Sequence, residues 1–410
     1  MDQELQVSIL KELMRQIDEK SNMDAGVQYK VPNSIYADPD LAQTEWQVFF
    51  QDHPQMIGLS GDLPAENCFL TMNDFGVPVI ATRDSTGRFR AFLNICRHRA
   101  TRVETKPRGK RKLFVCPFHA WSYSTSGELI AVSDQSDFGD VDKSCRGLIE
   151  LPAVEAAGML FIHPNPSGKL DVEALLGRDL LQEMRSIGFD EYVFGANKTI
   201  DMKLNWKLAN DTFGETYHFQ KLHKNTLGQI FIGNNTHYEE FGRNHRFTTA
   251  SQGINEFRDM PEEDWEIQRG TFVAYHLFPN IQMFWAGDTV SLVRIYPDAD
   301  NPGRSISQVS IYFTKAAYDQ AAALSEEERE QAVKDTYSSS GPGRSPSFEA
   351  SLEVFTSTIE HEDYVMGEYQ QQAAESGLAG EALFGRNEPV LHHFHRSYRE
   401  ALGLPHFETV

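Results

Sequence analysis

The chain has 410 residues, a formal net charge of −21 at pH 7, 40% hydrophobic residues and 11% aromatic residues. This length and apolar content suffice for about two or three globular domains. The strong negative charge argues against nucleic acid and anionic membrane surfaces as partners, and there is no apolar run of about 18 residues that would indicate a transmembrane helix.

The first 45 residues predict one amphipathic helix followed by an irregular entry segment. Apolar residues recur at helical spacing from Leu5 to Ile17, which gives the helix a single packing face. We expect residues 1–45 to pack on the C-terminal domain. The N-terminal sequence lacks the apolar core of a signal peptide, so the expected location is the cytoplasm.

Short apolar runs such as CFLTM, VPVIATR and KLFVCPF, separated by turn-forming residues, predict an all-β domain over residues 46–160. Residues 161–410 combine strand-rich runs with longer helical ones and form the second predicted domain. Within it, Ser338–Pro346 predicts a loop. A β domain followed by a sheet with helices is an α+β arrangement rather than βαβ alternation.

Two short segments of the β domain each offer one cysteine and one histidine. They are Cys96-Arg97-His98 and Cys116-Pro117-Phe118-His119, with 17 residues between His98 and Cys116. Two Cys and two His can hold a tetrahedral zinc ion or a Rieske [2Fe–2S] cluster, in which two Cys bind one iron and two His the other. Zinc sites usually group like ligands together, whereas each segment here mixes them, so the pattern favours the cluster.

The stretch 205–225 is polar where a buried helix would be apolar. On a helix, Asp211, Glu215 and His218 fall in one stripe, and His223 lies about 140° further round. Both imidazoles reach one point only if the helix bulges or ends between them, as π-type irregularities allow at functional sites. On this stretch alone, a metal site and a solvated polar helix face both remain open.

Two histidines need a carboxylate to complete the facial triad of a mononuclear Fe(II) oxygenase. A helix predicted over residues 348–376 supplies Glu360, Glu362 and Asp363 as candidates. The alternative is an exposed acidic helix face, which is the common role of such residues.

Both motifs together resemble the α (terminal oxygenase) subunits of Rieske non-haem iron ring-hydroxylating oxygenases. The segment CRHR followed by CPFHAWSYSTSGEL resembles the family's Rieske motif, and NWK followed by YH-x4-H resembles its iron segment. The resemblance runs from about Trp46 to Phe394. It implies an α+β protein with an all-β Rieske [2Fe-2S] domain inserted before an antiparallel-sheet-plus-helices catalytic domain.

The resemblance also implies the cofactor ligands. The implied [2Fe-2S] ligands are Cys96, His98, Cys116 and His119, and the implied Fe(2+) ligands are His218, His223 and Asp363. The aspartate is chosen because Glu368 and Gln371 follow it as in the family's E-D-x4-E-x2-Q pattern, with Glu362 as the alternative.

In this family an acidic residue three positions before the first iron histidine bridges the cluster of one subunit and the iron of its neighbour. That position is Glu215 here, where many relatives have Asp, and the implied contacts are His218 and His119 of the adjacent subunit. Asp211 either shares this role or orients His218 as a hydrogen-bond acceptor.

The implied activity is hydroxylation, dihydroxylation or oxidative demethylation of an aromatic or other small organic substrate, as in aromatic hydrocarbon catabolism. It uses O2 and electrons from NAD(P)H, delivered by a reductase, a ferredoxin or both. The implied assembly is a homotrimer or a multiple of a trimer, with or without a β subunit. Two alternatives stay open: a Rieske electron-transfer protein without an active mononuclear iron, and a zinc-stabilised binding module.

Two further predictions concern an electron-donor docking surface and the residues that contact substrate. The basic segment 97–112 holds eight lysines and arginines against the single acid Glu104, and it predicts docking of an acidic ferredoxin or reductase domain. On predicted strands of the second domain, His276, Phe272 and Phe284 are expected to contact substrate.

Overall fold

The computed structural model describes residues 1–336 and 347–410, so the loop predicted for Ser338–Pro346 lies outside the described residues. The chain divides into two compact units. The β-rich unit comprises Trp46–Leu175 and Gly188–Glu191, and the larger unit comprises Met1–Glu45, Leu176–Ile187 and Tyr192–Val410.

The first half of the chain is built mainly from short strands. In chain order its elements are α1 (Gln3–Glu19), β1 (Tyr29–Pro32), α2 (Pro39–Glu45), β2 (Gln55–Leu59), β3 (Cys68–Met72), β4 (Val79–Arg83), β5 (Phe89–Leu93), β6 (Arg108–Lys110), β7 (Leu113–Val115), β8 (Ser122–Ser124), β9 (Leu129–Ala131), α3 (Gln135–Phe138), β10 (Glu150–Leu151), β11 (Ala153–Ala156), β12 (Met159–Ile162), α4 (Val172–Leu176) and α5 (Arg178–Ile187).

The second half has longer strands and helices. Its elements are β13 (Tyr192–Met202), α6 (Trp206–Asp211), β14 (Phe231–Phe241), β15 (Asn244–Ser251), α7 (Ile267–Gly270), β16 (Thr271–Leu277), β17 (Ile281–Trp285), β18 (Thr289–Pro297), β19 (Ser305–Thr314), α8 (Lys315–Ala322), α9 (Glu326–Thr336), α10 (Phe348–Thr358), α11 (Tyr364–Glu375), β20 (Glu381–Phe384), α12 (Pro389–Ala401) and β21 (Glu408–Thr409). A π-helical turn, Ile359–Asp363, joins α10 to α11.

Small antiparallel sheets form the β-rich unit. The strand orders are β10-β5-β4-β3-β6, β11-β12-β2 and β7-β8-β9. Because β12 pairs with β2, the unit continues past residue 160, where the sequence pattern had placed its end. The tips beside β7 and β8 carry the second Cys-His segment.

A seven-stranded antiparallel sheet, in the order β13-β19-β18-β17-β16-β15-β14, organises the larger unit. Every residue of β15 and β17 is buried, so both faces of the sheet's centre are covered. The predicted N-terminal helix is confirmed as α1, whose buried residues include Ile9, Leu10 and Leu13. Among the described residues, no helix is long and apolar enough to cross a bilayer.

The structure corrects the predicted helix over residues 205–225. α6 ends at Asp211, and both His218 and His223 lie in the turns that follow it. A π-type irregularity occurs instead between α10 and α11, in the turn that ends at Asp363. Each of the three predicted iron ligands is therefore presented by irregular backbone rather than by a regular helix face.

Candidate active site

Two loops of the β-rich unit, one carrying Cys96 and the other Cys116, share one backbone geometry. In both, the cysteine N–H donates to the carbonyl five residues further along, at 2.7 and 2.9 Å. Ala100 and Ala120, four positions after the cysteines, donate back to the cysteine carbonyls and have φ values of 59° and 55°. This left-handed backbone closes each loop tightly, so two separate segments present their side chains in the same way.

The four predicted cluster ligands lie together at these loops. Cys96 and Cys116 are 3% and 2% exposed. The rings of His98 and His119 are 4.7 Å apart, and within the described chain neither buried Nδ1 atom has a hydrogen-bond partner. Unpaired buried nitrogens are costly, by about 1–3 kcal/mol each. Two buried thiols beside two unsatisfied imidazole nitrogens fit the ligand set of a Rieske cluster.

Tyr123 adds a feature that suits a redox cluster. Its hydroxyl oxygen accepts a hydrogen bond from the Arg97 N–H at 2.9 Å and lies 3.3 Å from Cys96 Sγ. Because the oxygen already accepts from Arg97, the hydroxyl hydrogen is available for the sulfur. Hydrogen bonds to ligand sulfur atoms are one way in which proteins set the potential of an iron–sulfur cluster.

In the larger unit, the start of α6 is held against α11. Asn205 caps α6 by accepting from the Lys207 N–H at 2.9 Å. Gln371 accepts from the Asn205 N–H at 2.9 Å, and Glu368 accepts from the Lys203 N–H at 3.1 Å. The E-x2-Q part of the sequence pattern therefore joins the two segments that carry the predicted iron ligands.

The turns after α6 present the two histidines. Glu215 caps this segment, because its carboxylate accepts from the backbone N–H of Tyr217 and from that of His218, the latter at 3.1 Å. Gly228 donates its N–H to the His223 carbonyl at 2.8 Å, and a Cβ at Gly228 would lie 2.8 Å from that same oxygen. Only glycine permits this close approach of the backbone to His223.

Three ligand atoms converge at one point. His218 Nε2 is 3.1 Å from His223 Nε2, while Asp363 Oδ1 is 3.0 Å from His223 Nε2 and 3.3 Å from His218 Nε2. The ligand atoms of the three residues all lie within 4.8 Å of one another, a geometry that suits a single metal ion. Two imidazoles and one carboxylate are the ligand set of non-haem Fe(II) oxygenases.

The electrostatics of this group favour a bound cation. Burial lowers the pKa of His218, but hydrogen bonds to Asp363 and Glu215 outweigh burial and raise it to about 10. The pKa of His223 is likewise raised against burial by Asp363. Burial raises the pKa of Asp363, yet the two imidazoles bring it below its usual value. The neighbouring carboxylates thus stabilise positive charge where the ligand atoms meet, and a divalent ion would supply that charge in place of the imidazole protons.

A carboxylate also meets the other nitrogen of each imidazole. Glu215 hydrogen-bonds to His218 Nδ1, and Glu362 Oε2 lies 2.8 Å from His223 Nδ1. When Nδ1–H donates to a carboxylate, the Nε2 lone pair is free for a metal. Glu362 thus meets the outer nitrogen of His223, whereas the carboxylate of Asp363 lies beside the Nε2 atoms of both histidines. The sequence had identified Glu362 only as an alternative ligand.

Asp211 lies elsewhere. Its carboxylate accepts from the Tyr36 hydroxyl at 2.8 Å and from His395 Nε2 at 3.0 Å. Within the described residues it makes no hydrogen bond to His218, so the expectation that Asp211 orients His218 is wrong. The reason is that α6 ends at Asp211, and this carboxylate contacts α12 instead of the turns that follow.

A cavity of about 470 Å³ adjoins the three converging ligands. Most of its wall is apolar, with eight phenylalanines: Phe213, Phe219, Phe231, Phe247, Phe272, Phe284, Phe313 and Phe355. Its acidic lining residues are Glu215, Asp288 and Asp363, and no lysine or arginine of the described chain lines it. The cavity therefore suits a mainly apolar molecule.

The structure separates the three predicted substrate contacts. Phe272 and Phe284 stack at 5.1 Å and line the cavity. His276 alternates onto the same sheet face as Phe272, but it is fully buried and stacks on His245 at 4.9 Å, with Phe394 of α12 at 5.3 Å. α12 covers this end of the sheet, so His276 does not reach the cavity and its predicted role is wrong.

Known protein families match both halves of the chain. A family model described as "Ring hydroxylating alpha subunit (catalytic domain)" matches residues 189–404, more than half of the chain. A Rieske [2Fe-2S] domain model matches residues 53–144.

Curated relatives include oxygenases of different reaction types. The anthranilate 1,2-dioxygenase large subunit of Acinetobacter baylyi is 27% identical over 208 residues, which cover 49% of this chain and 44% of the relative. The glycine betaine monooxygenase oxygenase subunit of Chromohalobacter salexigens is 30% identical over 205 residues, covering 49% and 45%. The matched region is thus less than half of each relative's length.

Solved structures show the same fold. A quaternary ammonium Rieske monooxygenase in complex with L-carnitine aligns with a TM-score of 0.71 and 17% identity, over 92% of this chain and 96% of the other. Naphthalene 1,2-dioxygenase from Rhodococcus sp. bound to indole aligns with a TM-score of 0.64 and 20% identity, over 97% and 98%. The predicted α+β arrangement of a Rieske domain followed by a catalytic domain is confirmed.

Proposed function

Because this chain belongs to the ring-hydroxylating α-subunit family, we propose that it is the terminal oxygenase component of a Rieske non-haem iron system. It uses O2 and electrons from NAD(P)H, delivered through a reductase, a ferredoxin or both, to oxidise a small organic substrate. The observation that carries this proposal is the convergence of His218, His223 and Asp363 at the wall of an apolar cavity.

His218, His223 and Asp363 would hold the mononuclear iron, which supplies a binding position for O2 and one-electron chemistry. Around it, Glu215 and Glu362 accept the Nδ1 protons of the two imidazoles and leave both Nε2 lone pairs available. The phenylalanine wall excludes water and holds an apolar substrate beside these groups.

In the β-rich unit, the two buried thiols and the two unsatisfied imidazoles of the Cys-His loops would hold the [2Fe-2S] cluster, which supplies single electrons. Tyr123 and the two matching loop turns keep these side chains in place.

The charge of the cavity indicates a neutral or cationic substrate. The acidic residues Glu215, Asp288 and Asp363 line the wall and no described lysine or arginine does, so a carboxylate-bearing substrate would lose its hydration there with no cationic side chain to pair with. The one cation near it would be the proposed iron, whose charge Asp363 already partly offsets. Phenylalanine faces suit both aromatic rings and alkylammonium groups.

Turnover with a substrate panel tests this assignment. With a reductase system and 18O2, we expect labelled product from a neutral polycyclic aromatic or from a methylammonium compound. An aromatic acid should show a kcat/KM at least about ten-fold lower, because an unpaired buried charge costs several kcal/mol. Preference for the acid would contradict the assigned substrate charge, and a lack of label in any product would contradict the oxygenase proposal.

We further propose that the cluster of one subunit serves the iron of a neighbouring subunit, in a homotrimer or a multiple of a trimer. Two observations support this. Near the cluster loops, Phe118 is 54% exposed and Val115 is 50% exposed, as expected of apolar residues that another chain covers. Glu215, hydrogen-bonded to His218, keeps 17% of its side chain exposed on the larger unit.

The basic segment 97–112 supports docking of an acidic electron donor. Arg108 pairs with Asp62 at 3.0 Å and Arg111 with Glu104 at 3.1 Å. Lys106, Lys110 and Lys112, in contrast, are exposed and form no ion pair with any described residue. The segment therefore presents cationic side chains beside the cluster loops, and no described acidic side chain neutralises them.

Reversing the charges of Lys110 and Lys112 tests this surface. The double variant Lys110→Glu/Lys112→Glu should raise the KM for the native electron donor by about ten-fold at low salt, because two attractive charges become repulsive. Lys169→Glu, an exposed site in the same unit, is the control and should change little. Donor turnover that is insensitive both to the double variant and to ionic strength would exclude docking here.

A further inference from the structure

Two adjacent residues contact opposite nitrogens of one buried imidazole. Asp363 Oδ1 lies 3.0 Å from His223 Nε2, and Glu362 Oε2 lies 2.8 Å from His223 Nδ1. The ring of His223 is fully buried. The imidazole is therefore held on both sides by one short segment of backbone.

The π-helical turn, Ile359–Asp363, makes this arrangement possible. Neighbouring side chains on a regular helix diverge by about 100°, and π-type irregularities are frequent at functional sites. Here the shorter Asp363 reaches the nearer nitrogen, while Glu362, with one more methylene, reaches the far side of the same ring. The two acids are thus not interchangeable.

A third group fixes the carboxylate itself. Thr226 Oγ1 donates to Glu362 Oε2 at 3.0 Å, and the Thr226 backbone N–H donates to the His223 carbonyl at 2.9 Å. Glu362 is therefore connected both to the ring of His223 and to the backbone turn that presents it. This network restricts the rotation of the imidazole as well as its tautomer.

We propose that Glu362 is a positioning residue that orients His223 for metal binding and that acts separately from Glu215. The inference rests on the proposed iron site. Glu215 hydrogen-bonds to His218 and to the backbone of its own turn, whereas the side-chain hydrogen bonds of Glu362 within the described residues go to the second histidine and to Thr226. Loss of Glu362 should consequently weaken metal retention.

Glu360 provides a matched control on the same turn. Its side chain is 30% exposed, against 25% for Glu362, and its carboxylate pairs with Lys198 Nζ at 2.7 Å. A substitution at Glu360 removes a similar charge from the same turn without removing a contact to His223. General effects of altering this turn can therefore be separated from effects on the imidazole.

The experiment measures metal affinity rather than turnover. The full-length protein, with its cluster intact and its mononuclear metal removed by chelator dialysis, is titrated with Co2+ against a chromophoric chelator. We expect Glu362→Ala to bind Co2+ about 10- to 100-fold more weakly than the unsubstituted protein, and Glu360→Ala to bind it within about two-fold. Glu362→Gln retains an acceptor for Nδ1–H, so its Co2+ affinity should lie between those of Glu362→Ala and the unsubstituted protein.

Asp363→Ala distinguishes failure of the role proposed for Glu362 from failure of the proposed iron site. If Asp363→Ala loses Co2+ binding while Glu362→Ala and Glu362→Gln both match the unsubstituted protein, the role of Glu362 is wrong and the iron site stands. If Asp363→Ala binds Co2+ as tightly as the unsubstituted protein, the iron site itself is wrong. The visible absorbance of the cluster and the unfolding temperature should match across the series, which confirms that each variant is folded.

Discussion

Glu215→Gln is expected to leave the Rieske cluster fully reducible and to slow its reoxidation during turnover by at least about 10- to 100-fold. The physical reason is that Glu215 hydrogen-bonds to His218 Nδ1 and remains partly exposed, so it can connect His218 to a neighbouring chain. The measurement is stopped-flow absorbance of the pre-reduced protein mixed with O2 and substrate, with product quantified in parallel.

Mixed oligomers provide the control for this result. A Cys116→Ser subunit lacks one of the four proposed cluster ligands but keeps Glu215, and a Glu215→Gln subunit has the reverse defect. If electrons cross between subunits, co-assembled mixtures of the two variants should form more product than either alone. Equal inactivity of the mixtures, or normal reoxidation in Glu215→Gln, would remove Glu215 from an intersubunit electron path.

The second large effect concerns the three converging ligands. His218→Ala or Asp363→Ala should lower the iron content from about three to about two atoms per chain, because the mononuclear site loses one of three ligands while the cluster keeps all of its own. Product formation should fall by at least about 100-fold. Elemental analysis, cluster absorbance and a turnover assay report these changes.

Asp211→Asn is the matched control for these variants. It alters an acid only seven residues before His218, yet that acid hydrogen-bonds to Tyr36 and His395. Iron content should therefore remain at about three atoms per chain. Full iron content and activity in both His218→Ala and Asp363→Ala would show that the mononuclear iron binds elsewhere.

The candidate donors could be named from the sequence because each pair lies within a short local motif that resembles the family's. Cys96 and His98, or His218 and His223, are separated by few residues, and the resemblance of Glu368 and Gln371 to the family pattern pointed to the aspartate. Residues this close in sequence can reach the same point even where the backbone is irregular, since a short peptide can bring its own side chains together in several conformations.

Other features depended on contacts between distant segments. Just beyond the end of α6, Gly214 packs closely against α12, where a Cβ would lie 2.3 Å from the Leu391 side chain. Asp211 finds its partners Tyr36 and His395 at separations of 175 and 184 residues. Such pairings are not encoded in local spacing, which is why Asp211 was placed incorrectly.

His276 and Glu362 show the same limit in different ways. His276 lies on the sheet face that carries Phe272, but its sequence position could not show that α12 covers this end of the sheet. A regular helix pattern could not show that a π turn allows Glu362 and Asp363 to contact one imidazole. In both cases the tertiary fold determined the role of the residue.

Combined iron analysis and EPR of the dithionite-reduced protein test the central claim most directly. The claim is that one chain holds a Rieske cluster and a separate mononuclear iron at His218, His223 and Asp363. We predict about three iron atoms per chain, little zinc, and the rhombic EPR signal of a reduced Rieske cluster. About two iron atoms with the same signal would indicate an electron carrier without the second site, and zinc without iron would contradict the account entirely.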